Sequence, residues 1–437
     1  GWWDVRFLLL IAFSTVVDFF VAGQIQNAPP RGRTARIWLA ATLTINLGLL
    51  AYFKYAGFFI DSWIDAWAHL GVTMNRPSLQ IILPVGISFY TLQTLSYSID
   101  VYRRQLKPTR DFIAFATFVA FFPQLVAGPI ERARNFLPQI LKPRTFDSER
   151  SILAIRQILW GFVKKVVLAD TCALFVNPIF EGPASFSGPV LVAGALLFAI
   201  QIYGDFSGYS DIAIGTARLF GIDLMVNFRT PHFARSIPEF WRRWHISLST
   251  WFRDYVYFPL GGSRGSRWRT SLNTLAIFMV SGLWHGASWN FVVWGFIHAC
   301  LFLPSIWLPK KTKSNPPPPS ILPSFRELGG ILFVLFAVAG TYIFFRSPSL
   351  GHAIYLIKHI PSLTGDGFPS HFAHDVPMLL AAITVVVLGD WISDRREQLG
   401  KPPRPIHQRY AIDGLMLGFI LLFRPLGQAF DFIYFQF

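Results

Sequence analysis

The sequence predicts an all-α, polytopic membrane protein, and three observations carry that prediction. Of the 437 residues, 53% are hydrophobic and only 14% are charged, whereas about 25% of the residues in a typical soluble domain are charged. Apolar stretches recur along the whole chain, as expected for several membrane-crossing helices. Basic residues fall in short stretches between them, so the net charge of +15 indicates membrane topology and contact with anionic lipids. We expect no nucleic-acid binding, because no basic domain stands apart from the apolar segments.

The candidate membrane helices are the apolar segments of the chain. Some are too short or too interrupted to cross about 30 Å alone. They are 5–23, 37–60, 80–99, 112–128, 152–175, 189–203, 212–226, 272–303, 330–346, 377–392 and 412–423.

Loop charge predicts the orientation of the first segments, because Lys and Arg concentrate in cytoplasmic loops. Basic residues gather at 31–36 and 103–110, which we assign to the cytoplasm. The predicted external loops, which hold Arg76 as their single Lys or Arg, are 61–79, 177–188 and 361–376.

Two segments are predicted to enter the membrane from the cytoplasmic side and return. Segment 112–128 has basic stretches at both ends and contains Pro123, which interrupts a helix. Segment 272–303 is likewise flanked by basic residues and is interrupted at 285–288. Irregular backbone at membrane depth is tolerated only when it is buried in protein or lines a cavity.

The run SGLWHGASWN at 281–290 places an imidazole inside the second of these segments. From Thr274 to Leu308 there is no Lys, Arg, Asp or Glu. A polar side chain in such surroundings is energetically expensive and therefore indicates a functional site. Histidine is also the side chain best suited to move a proton near neutral pH. His285 is therefore the first candidate catalytic residue.

The stretch FWRRWHISLSTWFRDY at 240–255 has two interpretations. The plain one is an interfacial amphipathic helix with its tryptophans at the headgroup level. Alternatively, His245, Ser249 and Phe252 share one helical face at spacings of four and three, which allows a second polar site. Arg242 and Arg243 could then bind the phosphates of an anionic donor such as a nucleotide thioester. The tentative donor site consists of Trp241, Arg242, Arg243 and Ser249.

Other polar residues have simpler predicted roles. Asp205 and Asp211, in GDFSGYSD at 204–211, are expected to cap helices or pair with nearby arginines. His298 is expected to be a hydrogen-bonded core residue. The sequence has no tight His, Asp and Glu cluster at ligand spacing, so no metal is expected.

These motifs resemble those of the membrane-bound O-acyltransferases. The similarity rests first on WRRWHISLSTWFRDYVYFPLGG (241–262) and SGLWHGASWN (281–290). It is strongest to the bacterial branch that contains the alginate O-acetylation and teichoic acid D-alanyl transfer membrane proteins, and it covers nearly the whole chain. Members usually carry another hydrophobic segment before the equivalent of Gly1. The further similar blocks are 83–103, 121–132, 161–170, 203–215 and the closing FIYFQF at 432–437.

The resemblance implies a fold and an activity. It implies one transmembrane domain over 1–437, with a catalytic core at about 80–305 and C-terminal helices at 330–437. About 10–12 transmembrane and re-entrant helices would form a ring around a central funnel. His285 would be the catalytic base or acyl carrier, with His245 as its second polar residue.

The implied reaction is acetyl transfer from cytoplasmic acetyl-CoA, a substrate and not a bound cofactor, across the bacterial inner membrane. The product would be an exported, O-acetylated polysaccharide, with alginate favoured. A periplasmic acetyltransferase would complete the transfer, and membrane lipids would surround the protein. Peptidoglycan, cellulose and D-alanyl transfer to teichoic acid stay open as alternatives. Other classes are a transporter or channel, in which His285 lines a permeation path, and a structural scaffold of an export complex.

Overall fold

The computed structural model describes residues 5–75, 81–308, 322–368, 374–402, 404–423 and 432–433. Their regular secondary structure is helical, with one isolated parallel bridge between Phe186 and Asp366, which confirms the all-α prediction. The chain forms two compact units, residues 1–148 with 217–225 and residues 149–216 with 226–437. Arg76 and most of the closing FIYFQF block lie outside the described residues.

In the part of the chain that the structure describes, the first unit contains seven α-helices and a π-helical turn at Ala51–Tyr55, and a polar cluster is buried among three of the α-helices. The Asp18 carboxylate is fully buried and accepts hydrogen bonds from Asn46 Nδ2 at 3.1 Å and from Thr42 and Ser98. These bonds tie α1, α2 and α4 together. The helices are α1 Val5–Asn27, α2 Arg33–Leu50, α3 Ala56–Ala68, α4 Ile87–Tyr102, α5 Phe112–Ala120, α6 Phe122–Leu125 and α7 Ala133–Leu141.

The predicted interruption of segment 112–128 is present. The helix α5 ends at Ala120, Phe121 adopts an extended conformation, and the four-residue α6 begins with Pro123 in its first turn. Proline is well tolerated there because the first N–H groups of a helix have no intrahelical acceptor. The re-entrant placement of this segment stays a prediction.

The second unit carries the predicted site residues. Its helices include one formed from two predicted segments and two short helices within the predicted amphipathic stretch. They are α8 Ser148–Phe162, α9 Asp170–Glu181, α10 Gly188–Leu219, α11 Ile237–Arg243, α12 Ile246–Phe252, α13 Arg267–His285, α14 Trp289–Phe302, α15 Pro304–Trp307, α16 Phe325–Arg346, α17 Leu350–His359, α18 Val376–Gln398 and α19 Ile406–Leu422.

The prediction of separate segments at 189–203 and 212–226 is wrong, because α10 is continuous over 32 residues. Its glycines permit close helix packing. A Cβ on Gly204 would lie 2.9 Å from the Lys164 carbonyl oxygen, and one on Gly208 would lie 2.7 Å from that of Gly161. Small residues at such contacts let two backbones approach within the membrane.

The expected partners of the two α10 aspartates also need correction. Both residues lie inside α10 and so cannot cap it. Asp211 pairs with Lys164 at 2.9 Å and Asp205 pairs with Lys165 at 2.7 Å, so lysines take the place of the expected arginines. A carboxylate in an apolar helix bundle needs such compensation, because an unpaired buried charge is expensive.

Six helical runs among the described residues are long and apolar enough to cross a membrane, so the chain is a multi-pass membrane protein. By contrast, α4 and α19 have only 16 and 17 residues. The six runs are Val5–Asn27, Arg33–Ala68, Gly188–Leu219, Trp289–Trp307, Phe325–Arg346 and Val376–Gln398.

Candidate active site

His245 lies in a break between two helices. The helix α11 ends at Arg243 and α12 begins at Ile246, while His245 adopts the left-handed conformation with φ 41° and ψ 54°. The expectation that His245, Ser249 and Phe252 share one helical face is therefore wrong. The left-handed helical region costs an L-residue roughly 1–2 kcal/mol. Strained backbone of this kind is concentrated at functional sites.

The neighbouring segment at Asn227 fixes this break. The Ile246 N–H donates to the Asn227 backbone carbonyl at 2.9 Å. The Asn227 side chain, which is fully buried, lies with its Oδ1 3.0 Å from His245 Nδ1 and 2.9 Å from Ser247 Oγ. Its Nδ2 donates to Ser210 Oγ at 3.2 Å. Sequence reasoning missed Asn227, because a single asparagine in LMVNF carries no motif.

His285 is the last residue of α13, next to the predicted interruption. Its side chain is buried at 4% exposure, and its ring centroid lies 5.2 Å from that of Trp294 and 5.5 Å from that of Phe345. The following residue, Gly286, is extended, and a Cβ there would lie 2.0 Å from the Phe291 ring. The chain therefore leaves α13 at a position where a side chain cannot fit, which confirms the break predicted at 285–288.

The returning helix α14 packs directly against α13. A Cβ on Gly282 would lie 2.1 Å from the Phe291 carbonyl oxygen, and one on Gly295 would lie 2.3 Å from that of Phe278. These glycines bring the two backbones into contact and thereby set the position of His285 at the end of α13.

The structure brings the two candidate histidines together. Their ring centroids are 6.3 Å apart. Since an imidazole nitrogen lies about 1.1 Å from its centroid, the closest nitrogens are at least about 4 Å apart, beyond hydrogen-bond range. The rings therefore do not bond to each other directly. The spacing suits two groups that act on the same bound reactant from different positions.

The electrostatic state of His245 follows from its burial. The residue lies outside the six candidate membrane spans and is 1% exposed. Burial lowers the pKa of its imidazole from the usual 6.5 to about 3, because a low-dielectric environment disfavours the charged form. His245 is therefore neutral at physiological pH, and one of its ring nitrogens carries a lone pair.

A cavity of 510 Å³ lies beside this site. Three of the four predicted donor-site residues line it, namely Trp241, Arg242 and Ser249. Arg253, which was not among the predicted residues, lines it as well. Ser281 also lines it and lies one helical turn before His285 on α13. The cavity is mostly apolar but carries two guanidinium groups, a combination that suits an amphipathic ligand with anionic groups.

Arg242 and Arg243 have different surroundings. Arg242 forms no ion pair or hydrogen bond with any residue in the described part of the chain, and its side chain is exposed. Arg243 is not a lining residue of the cavity. It pairs with Glu239 at 3.0 Å and with Asp394 at 3.3 Å. Burial of Glu239 opposes ionisation, but its bonds to Arg235 and the charge of Arg243 prevail and lower the pKa of Glu239. Arg243 thus has two carboxylate partners, and its donor role stays a prediction.

His298 has the structural role predicted for it. The residue is fully buried, and its Nε2 lies 2.9 Å from Thr341 Oγ1. The Thr341 hydroxyl donates to the Val338 carbonyl at 2.7 Å, so it accepts from His298 Nε2–H. Over the ranges that the structure describes, no group of three His, Cys, Asp or Glu residues is arranged to hold a metal.

A buried histidine pair at a helix break, next to an amphipathic cavity, makes this multi-pass helical protein a membrane protein with a candidate acid–base site inside its helices. The chain belongs to the membrane-bound O-acyltransferase family. The family model matches residues 103–315, a range that includes both histidines and every residue that lines the cavity.

Curated relatives support this membership. A probable alginate O-acetylase of Pseudomonas aeruginosa is 43% identical over 300 residues, which are 68% of this chain and 57% of the relative. A peptidoglycan O-acetyltransferase of Helicobacter pylori is 34% identical over 392 residues, 84% of this chain and 72% of the relative. A teichoic acid D-alanyltransferase of Bacillus subtilis is 29% identical over 64% of this chain and 72% of the relative. The chain thus spans somewhat more than half the length of the alginate relatives.

Proposed function

We propose that this protein is a membrane O-acetyltransferase that takes an acetyl group from acetyl-CoA and passes it across the membrane to modify an exported polysaccharide. The observation that carries the proposal is the pair of buried histidines, 6.3 Å apart and next to the cavity. Two imidazoles close to one bound reactant can accept a proton or act as a nucleophile, and acyl transfer uses both kinds of catalysis.

The donor is assigned to the cavity. Its apolar lining suits the pantetheine arm of coenzyme A, and Arg242, which has no partner among the described residues, suits a phosphate group. Because Ser281 lines the cavity one turn before His285, a thioester bound in the cavity lies near that histidine. No metal takes part in this scheme.

Two roles are assigned to His285 as alternatives. As general base, it removes the proton of an acceptor hydroxyl while the hydroxyl oxygen attacks the thioester carbon and the C–S bond breaks. As acyl carrier, it attacks that carbon itself, releases the thiolate and later passes the acetyl group to the hydroxyl. General base catalysis typically contributes about 10²–10⁴-fold in rate.

Alginate is the proposed polymer, and a periplasmic acetyltransferase is the proposed partner that completes transfer. The support for alginate is the 40–43% identity to several probable alginate O-acetylases, against 34% for the peptidoglycan enzyme. Transfer to an exported polymer places the protein in the bacterial inner membrane, with lipid around its apolar helices.

The test is complementation of a deletion strain, followed by measurement of ester-bound acetyl in secreted alginate and in peptidoglycan. Wild-type protein should restore acetylation of alginate, and His285→Ala at equal membrane abundance should restore none. Restored peptidoglycan acetylation would instead assign the other polymer. Full complementation by the His285 variant would contradict an enzymatic role and favour a scaffold.

A further inference from the structure

The contacts of Asn227 determine how its side-chain amide is oriented. The Ser247 backbone N–H, which can only donate, lies 3.4 Å from the atom assigned as Oδ1. If the amide were reversed, the NH2 group of Asn227 would face the Ser247 N–H, and two donors would meet. The opposite amide atom, Nδ2, lies 3.2 Å from Ser210 Oγ, which can accept. The oxygen of Asn227 therefore faces His245 and Ser247.

This orientation determines which ring nitrogen of His245 carries hydrogen. The Asn227 oxygen has no hydrogen to donate, so the His245 Nδ1 at 3.0 Å from it must be the donor. A neutral imidazole carries a single N–H, and the hydrogen bond of one nitrogen thereby sets the state of the other. Nε2 of His245 consequently holds a lone pair.

That lone pair has no partner among the described residues, although the side chain is only 1% exposed. A buried acceptor without a partner is unusual in a folded protein. Around the ring lie Phe206, Phe228, Trp284 and His285, with His285 the titratable member of the group. The unused acceptor therefore stands beside the candidate catalytic residue.

We propose that Asn227 is a positioning residue that holds His245 in its Nδ1–H form, so that His245 Nε2 accepts the proton of the acceptor hydroxyl. This inference rests on the proposed acetyl transfer. It also assigns the general-base role to His245 in place of His285, because the hydroxyl gives up one proton and His245 receives it. His285 is then the acyl carrier.

The two half-reactions balance. In the first, a ring nitrogen of His285 bonds to the thioester carbon, the C–S bond breaks, and the thiolate leaves with the electron pair. In the second, the hydroxyl oxygen bonds to the acetyl carbon while its proton moves to His245 Nε2. The C–N bond to His285 breaks and returns its electron pair to the ring. The proton on His245 finally passes to the released thiolate.

The first experiment separates these half-reactions with Asn227→Leu in the full-length purified protein. Exchange of labelled CoA into acetyl-CoA, without any acceptor, reports formation of the acyl carrier. The leucine variant should retain CoA exchange within about threefold of wild type. In the complemented strain, the same variant should lose transfer to polymer by about 10²-fold or more, which is the effect expected when a general base is lost. His285→Ala should lose both activities.

Two further variants distinguish positioning from a general structural role. Asn227→Asp keeps the oxygen that accepts from Nδ1 and adds a negative charge that favours the imidazolium. It should keep transfer within about tenfold, and the acidic limb of its pH profile should move to higher pH. Asn273→Leu removes another buried amide, which among the described residues bonds only to the carbonyls of Leu260 and Gly262, and should transfer at no less than half the wild-type rate.

Three activity results would each overturn the inference. The first is that Asn227→Leu transfers acetyl to polymer at the full rate. The second is that the wild-type protein transfers acetyl but does not exchange CoA. The third is that the pH profile of Asn227→Asp is the same as that of the wild type. A further readout is independent of activity, since the ¹⁵N spectrum of histidine-labelled protein, assigned with His245→Asn, reports which nitrogen is protonated. A wild-type protein that shows the Nδ1–H form but neither exchanges nor transfers acetyl would contradict the proposed function and leave the tautomer assignment intact. An Nε2–H form would contradict the inference itself.

Discussion

At the scale of single residues, the site is built around a histidine whose backbone and ring are both constrained. His245 has a positive φ, and its Nδ1 is held by Asn227. The surrounding protein stabilises an arrangement that the histidine would not adopt alone, which is the usual relation between strain and function. In the proposed acyl transfer, this constraint orients the ring before a reactant binds, and preorganisation of this kind lowers the cost of the transition state.

The first prediction concerns the imidazole of His245. Asparagine tolerates the left-handed region better than most residues, so His245→Asn should preserve the break between α11 and α12. It removes the basic nitrogen, and transfer should fall by about 10²–10⁴-fold at normal membrane abundance. Quantitative immunoblotting combined with polymer acetyl analysis makes the measurement. A wild-type rate would reduce His245 to a structural residue.

The second prediction separates the two neighbouring arginines. Arg242 lines the cavity without an ionic partner among the described residues, whereas Arg243 pairs with Glu239 and Asp394. Arg242→Gln should raise the KM for acetyl-CoA by about tenfold or more, since hydrogen bonds to charged groups contribute roughly 1.5–3 kcal/mol. Arg243→Gln should instead lower thermal stability and change the KM by less than about twofold. The reverse pattern would place the donor phosphates at Arg243.

The sequence alone identifies some residues of the site and not others. It selected both histidines because they lie in aromatic, apolar surroundings, and it assigned His298 correctly to the core. It did not find Asn227, which acts through contacts with residues 18 and 20 positions further along the chain. Such contacts depend on the break at His245, and the amphipathic pattern of 240–255 gives no sign of that break.

At the scale of elements, the hairpin of α13 and α14 sets the position of His285. Two glycines allow backbone contact between the helices, and Gly286 fits under the Phe291 ring. The interruption at 285–288 was readable from the sequence, because HGAS breaks an apolar run. Continuity of α10 was not readable, because the polar residues at 204–211 interrupt the apolar pattern, and their partners Lys164 and Lys165 lie about 40 residues earlier in the chain.

The third prediction tests this hairpin. In Gly282→Ala the new Cβ would lie 2.1 Å from the Phe291 carbonyl oxygen and would force the helices apart. Overpacking typically costs about 1–3 kcal/mol, so the thermal midpoint and the transfer rate should both fall. Gly340→Ala on α16 is the matched control, because nothing lies within 4 Å of its added Cβ. Equal behaviour of the two variants would mean that close packing at Gly282 does not position His285.

At the scale of the whole molecule, composition was enough to predict a helical multi-pass protein. Six runs of the described chain satisfy the length and hydropathy of a membrane span, and family membership agrees with that architecture. Hydropathy could not give the helix boundaries. Short and broken helices such as α5, α11 and α12 depend on partners that are distant in sequence, and a window of apolar residues does not show them.

The central claim is that His285 carries out acyl transfer from a thioester. The most direct measurement uses the purified full-length protein with acetyl-CoA labelled in the acetyl group, and compares wild type with His285→Ala at equal, folded amounts. We predict thioester turnover or acetyl transfer by the wild type and a loss of at least about 10²-fold in the variant. Equal turnover by the two proteins, or no turnover by the wild type with acetyl-CoA, would contradict it.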